Sequence, residues 1–157
     1  MSGFSKTFSI TGWRIGYCIA DAKWMPSIGY FHDMTFICAP APLQHGAAAG
    51  LETLPPSFYT ALADDHFTKR EAIVSALQEI GLTPHIPQGA YYILAEANGL
   101  QGKTAAEKAR DLLSRTGVAA VAGSAFFRKG GGENLLRFCY AKKDADLAEA
   151  MDRLRRL

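Results

Sequence analysis

Between Pro55 and Gly81 the apolar residues Phe58, Leu62, Ile73, Leu77 and Ile80 recur at helical spacing, the pattern of a helix with one buried face. Pro55-Pro56-Ser57 opens it with Ser57 as cap, and Gly81 stops it. The predicted helix has about 23 residues, long for a globular domain. Before it, Ile15 to Ala20 reads as a short apolar strand suited to burial in a sheet. Asp21 caps a helix through about Phe31, interrupted in composition by Pro26 and Gly29. Pro40-Ala41-Pro42 is a rigid break. The small residues from Leu43 to Leu51 then predict a helix, packed closely against another backbone or tightly within a core.

After Gly81 the pattern turns to short strands alternating with helices. His85-Ile86 and Tyr91-Tyr92-Ile93-Leu94 are strand candidates around a Pro87-Gln88-Gly89 turn. Thr104 and Glu107 form a capping box, and the helix behind them turns Ala109, Leu112 and Leu113 inward before Gly117. Val118 to Ala122 and Leu135 to Tyr140 are the next strands, joined across Gly130-Gly131-Gly132. No Gly-Lys-Ser/Thr follows those glycines, so they read as a flexible connection rather than a phosphate cradle. Asp144 opens a last helix with Leu147, Met151 and Leu154 inside and Arg153, Arg155 and Arg156 as solvated residues at its end.

At 157 residues, with 48% hydrophobic and 20% charged residues, the chain is long enough for a domain with a real core. Seventeen basic against fifteen acidic residues give no electrostatic case for nucleic acid or a membrane surface. No apolar run approaches the roughly 20 residues that span a bilayer. The expected setting is cytoplasmic, with no signal peptide. Cys18, Cys38 and Cys139 are scattered, which predicts reduced core cysteines. His32, His45, His66 and His85 are equally dispersed, so no metal site is expected.

The segment Ser5-Lys6-Thr7-Phe8-Ser9-Ile10-Thr11-Gly12-Trp13-Arg14-Ile15-Gly16-Tyr17 carries the most specific chemistry. A lysine amine becomes a covalent catalyst when it condenses with a carbonyl. An arginine fork suits a phosphate. Extended, the eight positions from Lys6 to Arg14 would span about 26 Å. Both can grip one small group only if the chain doubles back, which Gly12, Ser9 and Thr11 permit.

This segment resembles the cofactor-lysine motif of class I/II aminotransferases, pyridoxal-phosphate enzymes of fold type I. Three later stretches extend the resemblance in the family's order: Pro87-Gln88-Gly89-Ala90-Tyr91-Tyr92, Val121-Ala122-Gly123-Ser124-Ala125-Phe126 and Leu136-Arg137-Phe138-Cys139-Tyr140. Ala122 stands where the family usually has proline, and Gly3 where many relatives have serine. The resemblance implies the carboxy-terminal portion of such an enzyme. Its fold would be an α/β small domain, a short mixed or antiparallel sheet with helices on one face, preceded by a remnant of the large domain. Residues 1–56 would be that remnant, 57–81 a long connecting helix and 82–157 the small domain. Lys6 would be the Schiff-base lysine and proton carrier, and Arg14 would hold the cofactor phosphate with Ser5 adding a hydroxyl. Arg137 would bind the substrate α-carboxylate.

The resemblance further implies an amino acid and a 2-oxo acid as substrates, and a homo-oligomer or a missing amino-terminal half as partner. The family's carboxylate for the pyridine nitrogen and its ring-stacking aromatic precede the lysine and have no counterpart here. Asp21, Asp33, Asp64 and Asp65 all follow it. Three readings therefore stand: an aminotransferase portion incomplete by itself, a non-catalytic module, and a carbon–sulfur lyase of the same fold.

Overall fold

A computed structural model describes residues 1–128 and 130–157. The chain divides into two compact units, Met1–Leu62 and Ala63–Leu157.

In the first unit a two-residue antiparallel ribbon pairs β1 (Ser2–Gly3) with β2 (Gly16–Tyr17). Phe4 N–H continues the ribbon by donating to Ile15 O at 3.1 Å. A Cβ on Gly16 would stand 2.8 Å from Ser2 O, so glycine is what lets the two strands approach. The expected strand from Ile15 to Ala20 is shorter than its apolar run implied. Only Gly16 and Tyr17 find a partner, and of the run only Ile15 is buried. Asp21 does act as a cap, accepting from Lys23 N–H at 3.0 Å. It caps a 3-10 turn, Ala22–Trp24, that leads into α1 (Met25–Phe36), which ends five residues later than expected. None of α1 is buried, and Tyr30, Phe31, Met34 and Phe36 are exposed. The small-residue helix is α2 (Ala41–Thr53).

Helix α3 (Pro56–Glu79) has 24 residues and contains the division between the units. It opens on Pro56, so Ser57 lies inside the first turn and is not the cap. Proline is favoured there because its missing N–H would have no helical partner. At the other end Gly81 adopts φ 81° and donates to Gln78 O, while Leu82 N–H donates to Leu77 O. These two bonds satisfy terminal carbonyls, and Leu77 and Leu82 bury together beneath them.

The second unit holds a four-stranded antiparallel sheet in the order β3-β4-β6-β5: β3 (Thr83–His85), β4 (Tyr92–Glu96), β6 (Leu135–Cys139) and β5 (Val121–Ala122). In β4 and β6 burial alternates. Ile93 and Ala95 face the core beside their partners Phe138 and Leu136, while Tyr92, Leu94, Arg137 and Cys139 share the other face. Ile73, Val74 and Leu77 of α3, Leu112 of α4 (Ala105–Thr116) and Leu147 and Leu154 of α5 (Asp144–Leu154) complete one continuous core. The helices thus cover one sheet face, as expected.

The capping box of Thr104 and Glu107 is present, and Gly117 ends α4 in the left-handed conformation at φ 71°. Three local expectations fail. Leu113 is exposed at 47%, because Leu112, Ala109 and Thr116 already fill the inward face of α4. Cys18 and Cys38 are exposed rather than core residues. Arg155 is not merely solvated: it bonds Glu79 of α3 at 2.8 Å and Asp152 at 3.0 Å.

Two outcomes follow for the second unit. Gly81→Ala forces a side chain into left-handed backbone and should cost about 1–2 kcal/mol in denaturant unfolding. The Arg155 guanidinium, then the Ser75 hydroxyl, holds the Glu79 carboxyl below its usual value of 4.5. A depressed acid stabilises the fold above its unfolded pKa and loses that effect as pH falls through its folded value. Glu79→Gln should therefore remove a small part of the loss of thermal stability seen on acidification below about pH 4.5.

Candidate functional site

The lysine segment doubles back, as the spacing required. Backbone left-handed at Ser9 (φ 56°) and Arg14 (φ 58°) makes the reversal, while Gly12 keeps an ordinary φ. Of the three residues expected to permit the turn, Ser9 carries left-handed backbone and Gly12 does not; Arg14 supplies the second such position, at a local cost of order 1–2 kcal/mol each. Between them Thr11–Trp13 forms a 3-10 turn closed by Trp13 N–H donating to Ile10 O at 2.9 Å.

Thr11 is the node of this turn. Lys6 Nζ donates to Thr11 Oγ1 at 3.1 Å, and the Thr11 hydroxyl donates to Ser5 O at 3.1 Å. Arg14 Nη1 donates to Thr11 O at 2.7 Å. Lys6, Ser5 and Arg14 are thus brought to a single residue, with Lys6 and Arg14 exposed and Ser5 half-buried. An amine, a guanidinium and a serine on one turn fit a group that bears both an aldehyde and a phosphate.

Arg137 belongs to the second unit. Its guanidinium carbon lies 4.0 Å from the ring centre of Tyr92 and 4.4 Å from that of Phe126. The planar cation is held between two aromatic faces, an attraction worth roughly 0.5–2 kcal/mol per ring. Its Nε is buried and makes no hydrogen bond. A buried donor left unmade costs about 1–3 kcal/mol, more when charged, so the arrangement suits an acceptor arriving from outside. A carboxylate matches the fork in shape and charge.

Two further contacts fix the approach to Tyr92. Tyr140 Oη donates to Ala90 O at 2.7 Å, and Arg70 Nη1 donates to Pro87 O at 3.0 Å. Ala90 takes φ 65°, a left-handed residue held by the Tyr140 bond. Tyr91 packs on Tyr92 at 4.3 Å, and burial, then its bond with Tyr92, pushes its phenol up to about 12. It stays protonated at neutral pH.

Sequence reasoning had singled out Lys6, Ser5, Arg14 and Arg137, but not the stacking roles of Tyr92 and Phe126. Both lie in the stretches that carried the family resemblance. The signal for Tyr92 was the strand alternation that puts it on the face of Arg137 once the register is known. Among the described residues no group of His, Cys, Asp and Glu could hold a metal ion, and no helix is long and apolar enough to cross a membrane.

The family profile for aminotransferase class I and II matches residues 1–154. The chain belongs to the class I and II aminotransferases. It is 34% identical to the methionine aminotransferase of Escherichia coli over the whole chain, and 32% identical to the aspartate aminotransferase of Pyrococcus abyssi. In each case it spans only 40% of the relative's length. Among solved structures it matches YbdL of E. coli, described as a methionine aminotransferase, with a TM-score of 0.88 at 34% identity. The N-succinyldiaminopimelate aminotransferase of Mycobacterium tuberculosis gives 0.87 at 29%. Both likenesses cover 98% of this chain and 40% of the other. The portion shared with these enzymes is an α/β carboxy-terminal portion.

The buried Nε of Arg137 generates a direct test. Arg137→Met keeps length and packing between the rings while removing the orphaned donor. Its unfolding midpoint should match or exceed that of the parent chain. The parent should gain thermal stability from millimolar succinate, and the variant should lose that gain.

Proposed function

We propose that this chain carries the lysine, the phosphate-binding arginine and the carboxylate-binding arginine of an aminotransferase. The enzyme would move an amino group between an L-amino acid and a 2-oxo acid with pyridoxal 5'-phosphate. The convergence of Lys6 and Arg14 on Thr11 supports this most strongly. When bound, the cofactor supplies an aldehyde and an electron-withdrawing ring. Lys6 would hold the cofactor at its aldehyde through Nζ, and the same amine would carry the proton at the substrate Cα. Arg14 sets its charge against the phosphate, and the Ser5 hydroxyl adds a hydrogen bond there. Arg137, held flat between Tyr92 and Phe126, receives the substrate carboxylate in bidentate fashion.

In the family this chain resembles, other parts of such a site precede the lysine: a carboxylate for the pyridine nitrogen, a stacking aromatic and amides around the phosphate. The chain spans 40% of the length of its curated relatives. We place those parts on polypeptide outside these 157 residues, whether an amino-terminal half or a second subunit. The exposed apolar residues of α1 support contact with such polypeptide or with another copy of the chain. The same exposure favours a second reading, in which this chain by itself is a folded module without turnover.

Borohydride reduction in the presence of pyridoxal phosphate, followed by peptide mapping, tests the assignment. The label should fall on Lys6 and vanish in Lys6→Ala. A label on Lys142 or another lysine instead would sink it. A saturable half-reaction with an L-amino acid by the isolated chain would dismiss the module reading.

A further inference from the structure

We propose that Trp13 is a positioning residue for the phosphate grip of Arg14, and that Gly46 of α2 is the seat that holds it. The inference rests on the cofactor reading above and adds a control element to the same loop.

Two glycines, Gly46 and Gly50, lie one turn apart inside α2. Glycine weakens a helix interior relative to alanine, so each needs a reason to be there. At Gly46 the reason is steric. A Cβ would stand 2.7 Å from Trp13 Cζ3 and 3.0 Å from Cη2, closer than carbon atoms pack. At Gly50 a Cβ would meet the Phe8 ring at 3.5–3.7 Å, an ordinary contact. The indole therefore needs glycine at 46, and the Phe8 ring does not need it at 50. Both rings line a groove of 380 Å³ with Ala47, Leu54 and Phe58, all within the first unit.

The seat matters because of what Trp13 is joined to. It is the last residue of the 3-10 turn, and its N–H closes that turn onto Ile10 O. The next residue is Arg14, in left-handed backbone, with its guanidinium tied to Thr11 O within the same turn. A left-handed non-glycine residue persists only where its surroundings over-determine it. The indole packed at Gly46 ties to α2 the residue immediately before Arg14. Lys6 enters the node from the other side, through the Thr11 hydroxyl. Displacing the indole should therefore loosen Arg14 more than Lys6.

The probes are pyridoxal phosphate and pyridoxal, which share the aldehyde and differ in the phosphate. Half-maximal borohydride labelling of Lys6 is measured with each. The parent chain should prefer the phosphorylated aldehyde. In Gly46→Ala the requirement for pyridoxal phosphate should rise about tenfold, as expected for losing a charge-assisted contact, with pyridoxal nearly unchanged. Gly50→Ala should keep the parent's preference. Trp13→Phe, which lacks Cζ3 and Cη2, should restore part of the preference when added to Gly46→Ala. An unchanged preference in Gly46→Ala, or an equal loss in Gly50→Ala, overturns the proposal while leaving the cofactor assignment intact. A parent chain with no preference overturns both. If Gly46→Ala does not fold, Trp13→Leu carries the test: the same preference should be lost, and its retention overturns the proposal.

Discussion

A backbone turn that places two cations on one threonine is the constraint from which the first unit's chemistry follows. Thr11 offers its hydroxyl to Lys6 and its carbonyl to Arg14. Like charges do not gather without acceptors between them, and here the backbone supplies part of the compensation. The reversal also requires left-handed backbone at Ser9 and Arg14. Neither residue prefers that region, so the loop is held by what packs on it. Phe8 is surrounded by Phe4, Phe58 and Tyr59, and Trp13 rests on Gly46. The strain stored in the turn is offset by ring packing rather than by propensity.

The second unit answers a different problem, that of keeping a cation on a sheet face without neutralising it. Its sheet uses one face for the core and leaves the other half-buried. Arg137 stands on that second face with no carboxylate among its described partners. Tyr92 and Phe126 provide attraction without hydrogen bonds, so the guanidinium is oriented while its Nε is left without a partner. A salt bridge would have fixed the side chain more firmly and closed it to a ligand. The cost of the unmade bond at Nε is the counterpart of that availability.

Much of this was legible in the chain. Periodicity found α3 and α5, and the capping box found α4, because each signal is local and satisfied by neighbours in sequence. Strand ends were less legible: the apolar run from Ile15 to Ala20 pairs over two residues only, since pairing depends on a partner that sequence alone does not specify. Gly12, Ser9 and Thr11 were read together as permitting the turn, glycine because it adopts left-handed backbone at least cost. The structure puts that conformation on Ser9 and Arg14, where the aromatic packing described above overrides local preference. The close packing of α2 was readable from its small residues, but its partner was not. A side chain from the loop, not another helix, fills the space at Gly46. Arg137 was found through family likeness, whereas its aromatic sandwich emerges only when register brings β4 beside β6.

The two units differ in what sustains them. The second concentrates a continuous core from Ile73 to Leu154 under a four-stranded sheet. In the first, the buried apolar residues are Ile15 and Ala47, with aromatic contacts around Phe8 half-buried beside them. Ordering a residue's backbone costs about 1–2 kcal/mol, and burial on that scale offsets little of it across 62 residues. The second unit therefore has the means to fold by its own core, while the first depends on apolar contacts beyond those it makes within itself. The loop of Lys6 and Arg14 lies in this less buried unit, packed on α2 through Trp13 and on α3 through Phe8. The sheet face that carries Arg137 is built on the better-packed unit.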